Sequence, residues 1–140
     1  MMERILALDV GDRRIGLAVS DALGITAQGL ETYVRSDNPE KDADYIISVA
    51  NRYRPVKLLF GLPRNMDGSC GFQSEKVREF ANLVLARWDG GHDFYDERLT
   101  TMRAERILLE GNVRRDKRKK VIDKMAATII LEGYLEQHRF

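Results

Sequence analysis

The sequence predicts an α/β fold built on a mixed sheet, antiparallel at first and parallel afterwards. Three observations lead there. Three short apolar segments follow one another early in the chain, close enough for an antiparallel meander. Two further strand-like segments then alternate with segments of clear helical periodicity, the pattern of a parallel sheet with crossover helices. No Gly/Ser linker, internal repeat or low-complexity tract divides the 140 residues, so one domain spanning residues 1–140 is expected.

Residues 3–10, ERILALDV, read as the first strand. Ile5, Ala7 and Asp9 share one face, and Leu6, Leu8 and Val10 share the other. Apolar residues on both faces suggest a central strand covered on two sides. A turn at Gly11–Arg14 leads into a second strand at 15–20, and a third lies near 26–34. Asn38 followed by Pro39 is a helix start, a capping side chain before proline at the first helical position. Ala43, Ile46, Ile47, Ala50 and Tyr53 continue it at helical spacing. Residues 56–61 read as a buried strand. Val77, Phe80, Ala81, Val84, Leu85 and Trp88 form a second helical stripe, broken by Gly90-Gly91. Residues 92–96 are a last short strand ending at Glu97. Thr100 or Thr101 caps a further helix, with Ala104, Ile107 and Leu108 on its apolar face, that Gly111 ends. A final helix is expected over about 120–137.

Composition limits the function classes. Apolar residues make up 44% and charged residues 32%, and the net charge is +1, so nucleic-acid affinity would need a local basic patch. The one cysteine, Cys70, rules out an internal disulfide framework and zinc sites with paired cysteines. It has no obvious activating partner. No apolar run approaches the roughly 18 residues of a membrane span, and no signal peptide is evident. The expected location is cytoplasmic.

Three carboxylates stand out. Asp9 interrupts an apolar central strand, where aspartate is depleted and an unpaired charge costs several kcal/mol to bury. Either it ends the strand and bonds to the Gly11 turn, or it points into a cleft and holds a metal. Glu97 follows a strand and precedes a capped helix, a common place for active-site groups in α/β folds. It also reads as an exposed acid at a helix N-terminus. Asp123 lines up with Ala126, Ala127, Ile130 and Tyr134 on the stripe of the last helix that packs on the sheet. It is alternatively a cap or an ion-pair partner of a nearby lysine. The three have one shared use, binding hard divalent cations through oxygen. Two such ions clamp a scissile phosphate without any nucleophilic side chain.

Six of the seven residues in Arg114-Arg115-Asp116-Lys117-Arg118-Lys119-Lys120 are basic. A charge run of this kind is usually a solvated face. Here it is dense and close to Asp123, and Lys and Arg contacts to phosphate supply sequence-independent nucleic-acid affinity. The loop 61–69, GLPRNMDGS, follows a strand and leads to a helix, where backbone N–H groups can meet phosphate. It lacks the Gly-Lys-Ser/Thr of a Walker loop, and Gly11 and Gly16 lack the third glycine of a dinucleotide fingerprint. Trp88 reads as core, His92 as the start of a strand, His138 as frayed tail. Tyr134 is expected to pack near the site, with no role assigned to it.

LALDVGDRRIGLAVSD, FGLPRNMDGSCG, YDERLTT and VIDKMAATIILEGYL, in this order and spacing, strongly resemble the YqgF/RuvX family across essentially the whole chain. These are small ribonuclease H-like proteins described as Holliday junction resolvases and as pre-16S rRNA nucleases. The resemblance implies a five-stranded mixed sheet, its first three strands antiparallel, flanked by helices. It implies a metal-dependent nuclease using Mg²⁺ or Mn²⁺, two ions with substrate, at Asp9, Glu97 and Asp123. Phosphate contacts are expected from Arg114, Arg115, Lys117, Arg118, Lys119 and Lys120, with Arg14 at the substrate entrance. Better-known junction resolvases carry a fourth carboxylate three residues before the last, where this chain has Lys120. Members often have a small or hydroxyl residue where this chain has Asp12, read here as a turn residue. The expected reaction is 5′ processing of pre-16S rRNA. The alternatives are cleavage of four-way DNA junctions, which requires a dimer, and non-catalytic nucleic-acid binding in transcriptional regulation. Expected partners are nucleic acid and the ribosomal or transcription machinery. Monomer and homodimer are both open.

Overall fold

The computed structural model describes residues 3–63, 71–96 and 115–138. The side chains of residue 72 and residues 115–125 lie outside that description. The expected helix between Thr100 and Gly111 also lies outside it.

Strand β1 spans Arg4–Val10, β2 Arg14–Ser20 and β3 Ala27–Val34. Helix α1 spans Pro39–Asn51, β4 Val56–Leu62, α2 Phe72–Leu85, β5 His92–Asp96 and α3 Arg115–Gln137. The strands form one sheet in the order β3-β2-β1-β4-β5. β1–β2 and β2–β3 are antiparallel, while β1–β4 and β4–β5 are parallel. This is the expected mixed sheet.

β1 is central and covered on both faces, as its two apolar sides require. Leu6 and Leu8 join Ile15, Leu17, Leu58 and Phe60 in a core under α1 and α2. Ala7 packs with Ala18 and Leu59 under Ala127, Ile130, Leu131 and Tyr134 of α3. The alanines on both partners let helix and sheet approach closely. α1 starts where Asn38-Pro39 places it. Asn38 Oδ1 accepts from the N–H groups of Glu40 at 3.0 Å and Lys41 at 3.4 Å, satisfying donors a helix start otherwise leaves open.

Two boundaries differ from the sequence reading. α2 ends at Leu85, so Trp88 lies beyond the helix rather than on its stripe. Trp88 is still core, and its indole N–H donates to the Gly91 carbonyl at 3.1 Å. α3 begins at Arg115, five residues earlier than expected, and takes in most of the basic run. Lys and Arg are good helix formers, and no Gly or Pro interrupts them. No helix among the described residues is long and apolar enough to cross a membrane.

Candidate active site at the carboxyl edge of the sheet

The carboxyl ends of β1, β4 and β5 gather along one edge of the sheet, because these three strands are parallel. From β1 the chain turns to β2 on one side, and from its other neighbour, β4, it goes on to β5 in the opposite direction, so the connections diverge between β1 and β4. Such switch points are where α/β sheets bind ligands.

Asp9 is the penultimate residue of β1 and pairs with Gly16 of β2. It is half-buried. Strand alternation puts it on the α3 side with Ala7. The space at Gly16 shows how close the elements come. A Cβ built there would lie 3.6 Å from the Ala127 Cβ and 3.7 Å from the Asp9 Cβ. Asp9 and α3 therefore flank the same glycine.

Residue 123 precedes Ala127 by one turn, about 6 Å along the helix axis. The opposite end of α3 lies at the other edge of the sheet, where Tyr134 meets Lys57. The first turns of α3 thus lead away from Ala127 past the Asp9 edge. Residues 115–120, which hold Arg115, Lys117, Arg118, Lys119 and Lys120, precede Ala127 by about 10–18 Å of helix. The side chains of Asp123 and of these basic residues lie outside the described residues, as do Arg114 and Glu97. Glu97 directly follows Asp96, the last residue of β5, which pairs with Leu62 of β4. Among the described residues no three His, Cys, Asp or Glu side chains form a metal-binding group.

The turn after Asp9 is tightly held. The Gly11 N–H donates to the Arg14 carbonyl at 2.8 Å. A Cβ at Gly11 would approach that oxygen to 2.9 Å, so a side chain there forces the turn open. The Arg35 N–H donates to the Arg13 carbonyl at 2.9 Å, and Arg35 Nη1 donates to the Gly11 carbonyl at 2.8 Å. Asp12 pairs with Lys76 of α2 at 3.3 Å on the surface. Arg13 and Arg14 are exposed. Arg14 alternates with Gly16 and Ala18 along β2, which puts it on the same side of the sheet as Asp9.

Two polar clusters carried no signal in the sequence reading. Asp42 of α1 is fully buried, although acids in a first helical turn are ordinarily solvated. Its Oδ1 accepts from Tyr33 Oη, the Ser36 N–H and Ser36 Oγ, each at 2.9 Å. Its Oδ2 accepts from Arg35 Nε at 3.4 Å. Burial opposes ionisation, but these donors outweigh it and hold the carboxyl below its ordinary range. The partners come from β3 and the turn that follows it, so the helical sequence around Asp42 gives no hint of them.

The second cluster corrects the placement of Tyr134. Its hydroxyl accepts from Lys57 Nζ at 2.6 Å and donates to Asp93 Oδ2 at 2.9 Å. Lys57 and Asp93 are the second residues of β4 and β5, so Tyr134 lies at the amino edge of the sheet, opposite Asp9. Burial, followed by the bond to Asp93, pushes its hydroxyl pKa up despite the opposing lysine. The ring stacks on His138 at 4.1 Å, so that histidine is docked rather than frayed.

A sequence model of the RuvX family, described as Holliday junction resolvase, matches residues 3–137. The chain belongs to the RuvX family. A Halothermothrix orenii protein named "Putative pre-16S rRNA nuclease" is 50% identical over 132 residues, covering 94% of each chain. A Desulforamulus reducens protein of the same name is 50% identical over 133 residues, covering 95% of this chain and 96% of its own. Among solved structures, Thermus thermophilus RuvC in complex with a Holliday junction substrate superposes with a TM-score of 0.55 at 18% identity. It covers 97% of this chain and 96% of its own, a likeness of fold. RuvX membership agrees with the family the four sequence motifs resemble.

Proposed function

We propose that this RuvX protein is a metal-dependent nuclease of the cytoplasm that processes the 5′ end of pre-16S rRNA, through one domain spanning residues 1–140. The observation that carries this is the meeting of Asp9 with α3 at Gly16, one helical turn from residue 123. The name of relatives half identical over nearly their whole length supports the substrate.

In this reading Asp9, Glu97 and Asp123 hold Mg²⁺ or Mn²⁺, two ions with substrate. The described part of the site fits such ions, because Asp9 supplies a hard oxygen donor at a half-buried strand end. When bound, the cations supply Lewis-acid stabilisation of phosphodiester oxygens and a more acidic attacking water. The chain's own residues do the rest. The three carboxylates fix where the scissile phosphate sits. Arg14 steers a neighbouring phosphate from the edge of β2. Arg114, Arg115, Lys117, Arg118, Lys119 and Lys120 hold the strand farther along, by charge and without reading bases.

Cleavage of a four-way DNA junction is the second reading, favoured by the description of the family. A panel separates the two. Purified protein is given labelled RNA with a pre-16S 5′ extension, and a labelled four-way junction, with Mg²⁺, Mn²⁺ or chelator. Metal-dependent cutting of the RNA supports the processing nuclease. Cutting of the junction alone, by a dimer, replaces it with the resolvase. Binding without cutting of either points to a regulatory module.

A further inference from the structure

Arg35 joins two places far apart in the chain. Nε donates to buried Asp42, and Nη1 donates to the carbonyl of Gly11, two residues after Asp9. Its own N–H donates to the Arg13 carbonyl. One residue thus grips the Gly11–Arg14 turn by main chain and side chain together. The anchor is firm, since Asp42 is fully buried and takes three further hydrogen bonds. The guanidinium lies over the Phe80 ring, 4.7 Å from its centroid, and lines a cleft of about 310 Å³ with Asp12 and Lys76. That is the α1–α2 side of the sheet, whereas Asp9 and Arg14 belong to the α3 side. Arg35 therefore acts on the turn and not on a phosphate held at Asp9. A planar guanidinium reaches both acceptors at once, and a lysine ammonium is a single point charge that does not.

We infer that Arg35, anchored on Asp42, is a positioning residue that fixes the Gly11–Arg14 turn so that Arg14 is held beside Asp9 for a substrate phosphate. The inference rests on the nuclease reading above, and its test has an arm that does not.

The test is a double-mutant cycle of Arg35→Gln with Arg14→Gln, reading KM and kcat for RNA cleavage with Mn²⁺. Each single change is expected to raise KM about tenfold, and the double variant no further than Arg14→Gln alone, a coupling near one decade. Multiplicative effects, about a hundredfold in the double variant, would overturn the inference. Arg35→Lys keeps the charge and is expected to behave as Arg35→Gln, so wild-type KM in that variant would also overturn it. Arg35→Lys takes the place of Arg35→Gln in the cycle should the glutamine variant fail to fold. The independent arm is amide hydrogen exchange. Exchange at Gly11 and at residue 35 is expected to quicken tenfold or more, while Leu58 to Phe60 of β4 stay protected. Unchanged exchange at Gly11 would overturn the clamp. If wild type cuts no substrate, the nuclease reading fails and exchange alone decides the clamp.

Discussion

Replacing Asp42 tests the largest buried polar commitment among the described residues. Its Oδ1 accepts three hydrogen bonds at 2.9 Å, and its Oδ2 accepts one from Arg35. Asp42→Asn can keep the three bonds by presenting its carbonyl where Oδ1 was. Its amide then faces the Arg35 guanidinium, donor against donor, and one charge-assisted bond is lost. The expected cost is about 1.5–3 kcal/mol. Asp42→Ala removes every acceptor and strips Arg35 of its buried anion, for about 3–5 kcal/mol. For a chain of this size 1 kcal/mol moves Tm by roughly 3–5 °C. Urea unfolding followed by the fluorescence of Trp88, the one tryptophan, measures both. The order expected is wild type, then Asn, then Ala. An asparagine variant within about 0.5 kcal/mol of wild type, or one as unstable as the alanine variant, would overturn this division of the bonds between Oδ1 and Oδ2. The pH dependence follows from sign. Asp42 has its folded pKa below the unfolded value of about 3.9. Its stabilisation is complete above that unfolded value and fades as pH falls through the folded pKa. The gap between wild type and Asn should be constant from pH 5 to 8, and narrow below about pH 4.

Tyr134→Phe removes the hydroxyl between Lys57 and Asp93, both partly solvated. It should cost about 1–2 kcal/mol in urea unfolding and leave cleavage unchanged, because the cluster lies at the far edge of the sheet. Gly16→Ala adds a Cβ at ordinary contact distance from Ala127 and Asp9, and should retain most activity. Gly16→Val wedges two more methyls between Asp9 and α3. A loss of about 1–3 kcal/mol and a tenfold or larger fall in Mn²⁺-dependent cleavage are expected. Equal activity of the two variants would show that the approach of α3 to Asp9 is not needed. RNA binding should weaken steeply between about 50 and 200 mM salt. Neutralising Lys117, Arg118, Lys119 and Lys120 together should flatten the log–log slope by up to about 0.7 for each phosphate that is no longer neutralised.

Features that depend on neighbours in sequence were legible before the structure. The two apolar faces of residues 4–10 were enough to make β1 central, and Asn38-Pro39 marked the start of α1. The alternation of Ile5, Ala7 and Asp9 puts Asp9 on one face with them, and the structure covers that face with α3. The stripe from Ala127 to Tyr134 marked the face of α3 that packs on the sheet. Features that depend on distant partners were not. Asp42 carries no mark in the sequence, because its partners come from β3 and the turn after it. Tyr134 pairs with residues 77 and 41 positions away, so its helix position alone could not say which edge of the sheet it reaches. The start of α3 is hard to read because the run Arg114–Lys120 carries no Gly or Pro to mark a boundary. Trp88 has helical spacing with Val84, yet α2 ends at Leu85 and the ring packs from the turn beyond. Of the three carboxylates, Asp9 is described to its side chain, Asp123 by its place in α3, and Glu97 lies outside the described residues.

If Asp9 holds a catalytic cation for phosphodiester cleavage, its charge is indispensable to the reaction. The measurement is single-turnover cutting of RNA with a pre-16S 5′ extension by wild type and Asp9→Asn. The substitution keeps the shape of the side chain and removes its charge. Cutting by wild type is expected only with Mg²⁺ or Mn²⁺, with a rate lower by about 10²-fold or more in a folded Asp9→Asn protein. Undiminished cutting by that variant, or cutting by wild type in chelator, would contradict the cation-holding role of Asp9.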